Sequence, residues 1–407
     1  MSQACPAFRA DLEFVPLIQD FDRIVYVRDP LGLFPADKAL PAGLFKILIL
    51  LDGARNLEEV RDEISKHLHG AALPLDAVSR VIGEFDEAYL LDTPRYREAA
   101  KPVIAAYAAL PVREAALAGQ AYPKDPAELA AKLQAILDAP DAPNAPDPAA
   151  TQTPLAVVSP HIDLDAGRAQ YGRAFNQLRA AKPRTVVILG VGHKLDKGLF
   201  CFTQKDFATP FGAVANDKAV SAALAAAAGP AAAANDFAHR FEHSIEFALL
   251  FLQHLLPRGS FRIVPVLCGS PKLALAHYSR RCFQDAAGPF LDTLRAAIRP
   301  GGETLVLASV DFCHIGPKFG HMEEAEQLQR DALLHDAALL TALVNRDPEA
   351  FWNESRKVKD RFNVCGFSAL AALLEILPPC AGTVLGHEIS RDDVSASAVS
   401  FAAAVFR

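Results

Sequence analysis

Thr185-Val-Val-Ile-Leu-Gly-Val-Gly-His193 begins as an aliphatic run, breaks at two glycines and delivers a histidine. A short unbroken apolar run reads as a strand buried on both faces, the kind that a helix-covered parallel sheet requires. Two other stretches repeat the arrangement. Leu155-Ala-Val-Val158 leads into Ser159-Pro160-His161-Ile-Asp163, and Thr304-Leu-Val-Leu-Ala-Ser309 leads into Val310-Asp311-Phe-Cys313-His314. Phe261 to Leu267 adds a fourth buried run, and the period-two alternation of Val394 to Phe401 predicts a last strand. Helices are expected between them. Tyr171, Ala174, Phe175 and Leu178 fall on one helical face, and further helices are read over Ser244–Leu256, Glu323–Val344 and Phe367–Leu377. The predicted fold class is α/β, a mixed sheet flanked by helices.

In open α/β sheets, ligands bind beyond the carboxyl ends of the strands. Three strands here each send a histidine to that edge, from only 12 histidines in 407 residues, which is more than scattered loop histidines would give. Gly190 and Gly192 are expected to let backbone approach a bound group. Glu242-His243-Ser-Ile-Glu246 opens an apolar helix. Capping and the helix dipole account for Glu246, but not for His243. Asn363-Val-Cys365-Gly366 precedes another helix. That position favours a thiolate, yet the surrounding sequence by itself reads as a buried, inert thiol.

Composition narrows the classes. A charge of −7 offers no electrostatic reason to bind nucleic acid or an anionic membrane. No stretch of 18 strongly apolar residues occurs, and the first residues lack a signal peptide's basic and apolar regions, so a soluble, cytoplasmic protein is expected. Seven scattered cysteines without C-x-x-C argue against a disulfide framework or a Cys-rich zinc site.

The first part of the chain reads as a short strand at Arg23–Arg28 and helices over Pro41–Leu51, from an Asn56 cap, and over Asp76–Ala88. A short strand at Tyr89–Asp92 completes the pattern of a small winged helix. A DNA-reading helix needs cations, whereas Asn56–His67 carries Glu58, Glu59, Asp62 and Glu63 against Arg61 and Lys66. With Leu-Leu-Asp-Gly-Ala-Arg-Asn-Leu-Glu-Glu-Val at 50–60, this region resembles the PqqD-like peptide-recognition domains. The expected organisation is a winged-helix domain at 1–115, a helix and Pro-rich linker at 116–153, and an α/β domain carrying the strand-exit histidines at 154–407.

Pro160-His161 with Gly167, Leu189-Gly-Val-Gly-His193, Thr209-Pro-Phe-Gly with Asp217, Glu242-His-Ser-Ile-Glu246, Ser309-Val-Asp-Phe-Cys-His314, Cys365-Gly366 and Asp393-Val-Ser-Ala-Ser occur in one order. Together they resemble the Memo family, also called AmmeMemoRadiSam system protein B, from about Tyr122 onward. The resemblance implies the fold of class III extradiol dioxygenases. It implies metal ligands at His161, His193 and Cys365, with His314, His243 and Asp311 lining the pocket in catalytic roles. One departure is Pro-His-Ile-Asp-Leu-Asp-Ala-Gly in place of the usual Pro-His-Ala-Gly-Tyr, which is expected to add Asp163 as a pocket carboxylate.

Two imidazoles and an anion suit non-haem iron(II), while thiolate also suits copper or zinc. The leading expectation is therefore iron(II) or copper redox chemistry on a small molecule or a peptide delivered by the winged helix. Two alternatives are a non-catalytic peptide-binding module and a zinc hydrolase using Glu242 or Glu246 as base.

Overall fold

A computed structural model describes residues 3–19, 22–36, 38–67, 73–139, 153–195, 197–298 and 303–407. The chain divides into two compact units, Met1–Ala109 and Leu110–Arg407. The Pro-rich linker at 140–152 lies outside the described residues.

The first unit starts with β1 (Glu13–Gln19), β2 (Asp22–Arg28) and β3 (Ala39–Pro41), an antiparallel sheet in that order. Four helices follow: α1 (Ala42–Leu48), α2 (Leu57–His67), α3 (Leu75–Glu87) and α4 (Pro94–Ala108). Asn56 Oδ1 accepts from the N–H of Glu58 and Glu59, and Glu59 bonds back to Asn56 N–H, a complete capping box. The strand expected at Tyr89–Asp92 is a single bridge from Leu91 to Phe8, because Tyr89 turns to φ 57° to end α3. Strand β1 and helix α4 were not anticipated.

In the second unit, β4 (Val112–Arg113) and α5 (Pro126–Leu137) precede β5 (Ala156–Ser159), α6 (Arg168–Asn176) and β6 (Thr185–Val191). Three short strands follow, β7 (Phe200–Phe202), β8 (Asp206–Thr209) and β9 (Gly212–Val214), with helices α7 (Lys218–Ala228) and α8 (Ser244–Leu255) after them. Next come β10 (Arg262–Cys268), α9 (Pro271–Ala274), α10 (Arg280–Ala297), β11 (Thr304–Ser309) and β12 (His314–Ile315). The unit ends with α11 (Ala325–Val344), α12 (Pro348–Lys357), α13 (Phe367–Ile376), β13 (Gly382–Asp392) and β14 (Ser397–Phe406).

The main sheet runs β12-β14-β5-β11-β6-β10-β7, with β13 paired to β14. Its centre, β5-β11-β6-β10, is parallel, and antiparallel strands close both sides. The α/β class read from the apolar runs is therefore correct. Alternate residues of β6 enter two cores. Val187 and Leu189 join the one that includes α10 and α13, and Val186 and Ile188 join the one that includes α6 and α8. Each fully buried aliphatic contributes about 1.5–3 kcal/mol, so slipping a strand by one residue is heavily penalised. No helix among the described residues is long and apolar enough to cross a membrane.

Candidate metal centre

Register brings the strand exits together. Val158, Ala308 and Leu189 share one rung across β5, β11 and β6. His161, Asp311 and His193 lie just past that rung, on one edge of the sheet. Helix α8 brings His243 to the same place, since His243 is its N-cap residue. The rings of His161 and His193 have centroids 5.1 Å apart at 83°, those of His161 and His243 are 5.1 Å apart at 85°, and those of His193 and His243 stack at 4.9 Å. One nitrogen from each lies within 4.8 Å of the others, and among the described residues these three form the one such donor set.

Cys365 is not part of that set, although its Sγ stands 3.6 Å from His161 Nε2. Three residues upstream of it or close by, Lys359, Asp360 and Asn363, take left-handed backbone at φ 54°, 50° and 50°. Such non-glycine conformations each cost roughly 1–3 kcal/mol and persist where the surroundings enforce them. Asn363 Nδ2 donates to the carbonyls of His314 and Phe319, at 3.4 and 3.1 Å. Gly366 permits the final approach, because a Cβ there would meet Val310 Cβ at 2.4 Å and the Asp311 carbonyl at 2.8 Å. The loop carrying Cys365 is thus tied to the strand exit carrying Asp311 and His314.

Three imidazoles are oriented through Nδ1. His161 Nδ1–H donates to the Ser309 carbonyl at 2.9 Å, and His314 Nδ1–H donates to the Phe312 carbonyl at 2.9 Å. His193 Nδ1 lies 3.0 Å from Glu242. These bonds leave Nε2 as the free lone pair, the arrangement in which outer partners set the tautomer of a ligating histidine. Asp311 Oδ1 accepts from His161 N–H at 3.0 Å, and its Oδ2 lies 3.5 Å from His161 Nε2.

Burial sets the charges. It pushes the His161 imidazole down to about 3, and those of His243 and His314 down to about 4. For His193 burial opposes the charged form, but the Glu242 carboxylate beside it raises the imidazole above its ordinary value. Burial also raises the Asp311 carboxyl, and burial followed by the Asp311 charge raises the Cys365 thiol well above the usual range. Clustered imidazoles beside a thiol are the donor chemistry of iron, copper and zinc sites, so the residues fit a transition metal.

The remaining expectations take other places. Gly190 accommodates protein rather than a bound group, because a Cβ there would meet Ser244 Oγ at 2.6 Å and Ile245 at 2.8 Å. Asp163 is exposed, and its Oδ1 accepts from the N–H of Asp165 and Ala166, shaping its own loop. Glu246 caps nothing. It is buried against Arg113 and the Tyr122 hydroxyl and accepts from the N–H of Ala116 and Leu117 at 2.9 and 3.0 Å. Arg113 also donates to the His239 and Glu242 carbonyls, at 3.0 and 2.6 Å. No local motif announces Arg113, which reaches across more than a hundred residues of chain to hold the segment before α8.

A family model described as Memo-like protein matches residues 113–405. A MEMO1 family protein of Aquifex aeolicus is 29% identical over 403 residues, covering 96% of this chain and 99% of that protein, so the likeness extends into the first unit. A MEMO1 family protein of Thermus thermophilus is 28% identical over 348 residues, covering 85% and 97%. One of Methanopyrus kandleri is 29% identical over 310 residues, covering 72% and 99%.

Proposed function

Because the chain belongs to the family of Memo-like proteins, we propose that it is a metal-dependent oxidoreductase acting on a small molecule or peptide. The observation that carries this reading is the set of three histidines whose ring nitrogens lie within 4.8 Å of one another. His161 and His193 hold the metal from the strand exits, and His243 and Cys365 flank the third position. Iron(II) or copper, with zinc as competitor, would supply Lewis acidity and, for the first two, electron transfer.

The chain's own groups perform the remaining work. His161 and Asp311 are each 2% exposed and keep water from the floor of the site. His193 and His243, with side chains 32% and 33% exposed, form its open rim, where a substrate enters. His314, neutral and with Nδ1 committed to a backbone carbonyl, accepts a substrate proton at Nε2. Asp311 orients His161 through its backbone N–H.

The zinc-hydrolase alternative is weakened by its bases. Both Glu242 oxygens already accept protein N–H groups, and Glu246 is engaged by Arg113 and Tyr122. In the first unit, β1 is paired on one side only among the described residues, an edge to which an extended peptide can add as a strand, which supports the peptide-recruiting role read from its resemblance.

Anaerobic purification with metal analysis tests the proposal. Wild type should carry stoichiometric iron or copper and consume oxygen with substrate, and His161→Ala should lose both. Zinc without oxygen uptake would favour hydrolysis, and metal-free protein that still binds peptide would sink both enzymatic readings.

A further inference from the structure

Glu242 meets two of the three clustered histidines with one carboxylate. Its Oε2 accepts from His193 N–H at 3.2 Å and lies 3.0 Å from His193 Nδ1. Its Oε1 accepts from the N–H groups of His243 and Ser244, at 2.9 Å each, and stands 3.2 Å from Nδ1 of both rings. The side chain is 4% exposed, so protein donors stand where water would otherwise be. Arg113 fixes the same residue from behind by donating to its carbonyl at 2.6 Å.

We infer that Glu242 is a positioning residue that holds His193 and His243 together as Nδ1–H tautomers, so that both present Nε2 lone pairs to one metal ion. An imidazole protonated at Nε2 cannot ligate through that atom, and a ring with no acceptor at Nδ1 is free to adopt that form. One carboxylate shared by both rings makes the two donors a unit, consistent with their near-parallel stacking at 15°.

Glutamine at this position has the same shape but only one acceptor oxygen. Whichever way its amide turns, an NH2 group faces one of the two sets of donors. At least one ring must then turn or change tautomer, while the volume of the site is unchanged.

The inference rests on the metal-site reading, and the test separates the two. In metal-free, 15N-labelled wild type, long-range proton–nitrogen NMR should show both rings as Nδ1–H. Glu242→Gln should shift at least one of them toward Nε2–H. Its zinc affinity, measured in competition with a chromophoric chelator, should fall about 10–100-fold. A folded Glu242→Gln protein with both rings still Nδ1–H and zinc affinity within about twofold of wild type would overturn the inference. If that variant does not fold, the wild-type spectrum decides, since either ring found as Nε2–H overturns it. Wild type that binds no zinc, iron or copper contradicts the metal-site reading, whereas the spectrum judges Glu242 separately.

Discussion

The strand-exit side of the candidate metal centre and the side that closes over it are built by different means. His161, His193 and Asp311 stand where parallel strands end, so backbone pairing places them and two buried cores hold that pairing. His243 and Cys365 arrive on segments that form no part of the sheet's centre. Their positions depend on individual polar contacts: Glu246 with Arg113 and Tyr122 behind His243, and Asn363 and Gly366 beside Cys365. Mutations on the closing side should therefore reach the metal site while leaving the sheet's strand pairing intact, which those in the strands cannot do.

The largest effect is expected at Glu246→Ala. Removing one partner of a buried ion pair leaves Arg113 uncompensated and costs about 3–5 kcal/mol, read by chemical denaturation. Retained stability would show that Arg113 does not depend on Glu246. Gly366→Ala comes next, at about 1–3 kcal/mol, because the new Cβ overlaps Val310 and the Asp311 carbonyl. Its thermal midpoint should fall and the metal site should loosen with it.

Asn363→Ala should cost about 1–2 kcal/mol, from two lost hydrogen bonds and a left-handed backbone that alanine tolerates poorly. Metal affinity should drop while the sheet's circular-dichroism signal persists. Asp163→Ala should be smallest, within about 0.5 kcal/mol and with unchanged metal content, since its carboxylate shapes an exposed turn. A loss of metal there would restore Asp163 as a pocket group.

The same contrast governs how much was legible in the sequence. The buried strands declared themselves as apolar runs, and strand-exit logic then placed His161 and His193 at one edge without any tertiary information. Strand β13 did not, because Gly386, His387, Glu388 and Arg391 break any apolar period on a half-buried face. Helix α10 was hidden by Gly288-Pro289 in its interior. Strand β14 runs to Phe406 rather than stopping at Phe401, because it is buried on both faces and its Ala-Ala-Ala-Val-Phe end carries no alternation. The left-handed backbone before Cys365 follows from packing against the strand exit, and nothing local reveals it. His243 stood out beforehand as a residue that capping could not explain, but its place inside the donor set required the stacking on His193.

X-ray absorption at the edge of the bound metal tests the central claim most directly. A first shell with imidazole scattering from at least two histidines, lost in His161→Ala, is the predicted result. A sulfur scatterer near about 2.3 Å that disappears in Cys365→Ser would assign the third position to the thiol, and its absence would assign it to His243. A shell of oxygen alone, unchanged by His161→Ala, would contradict the account.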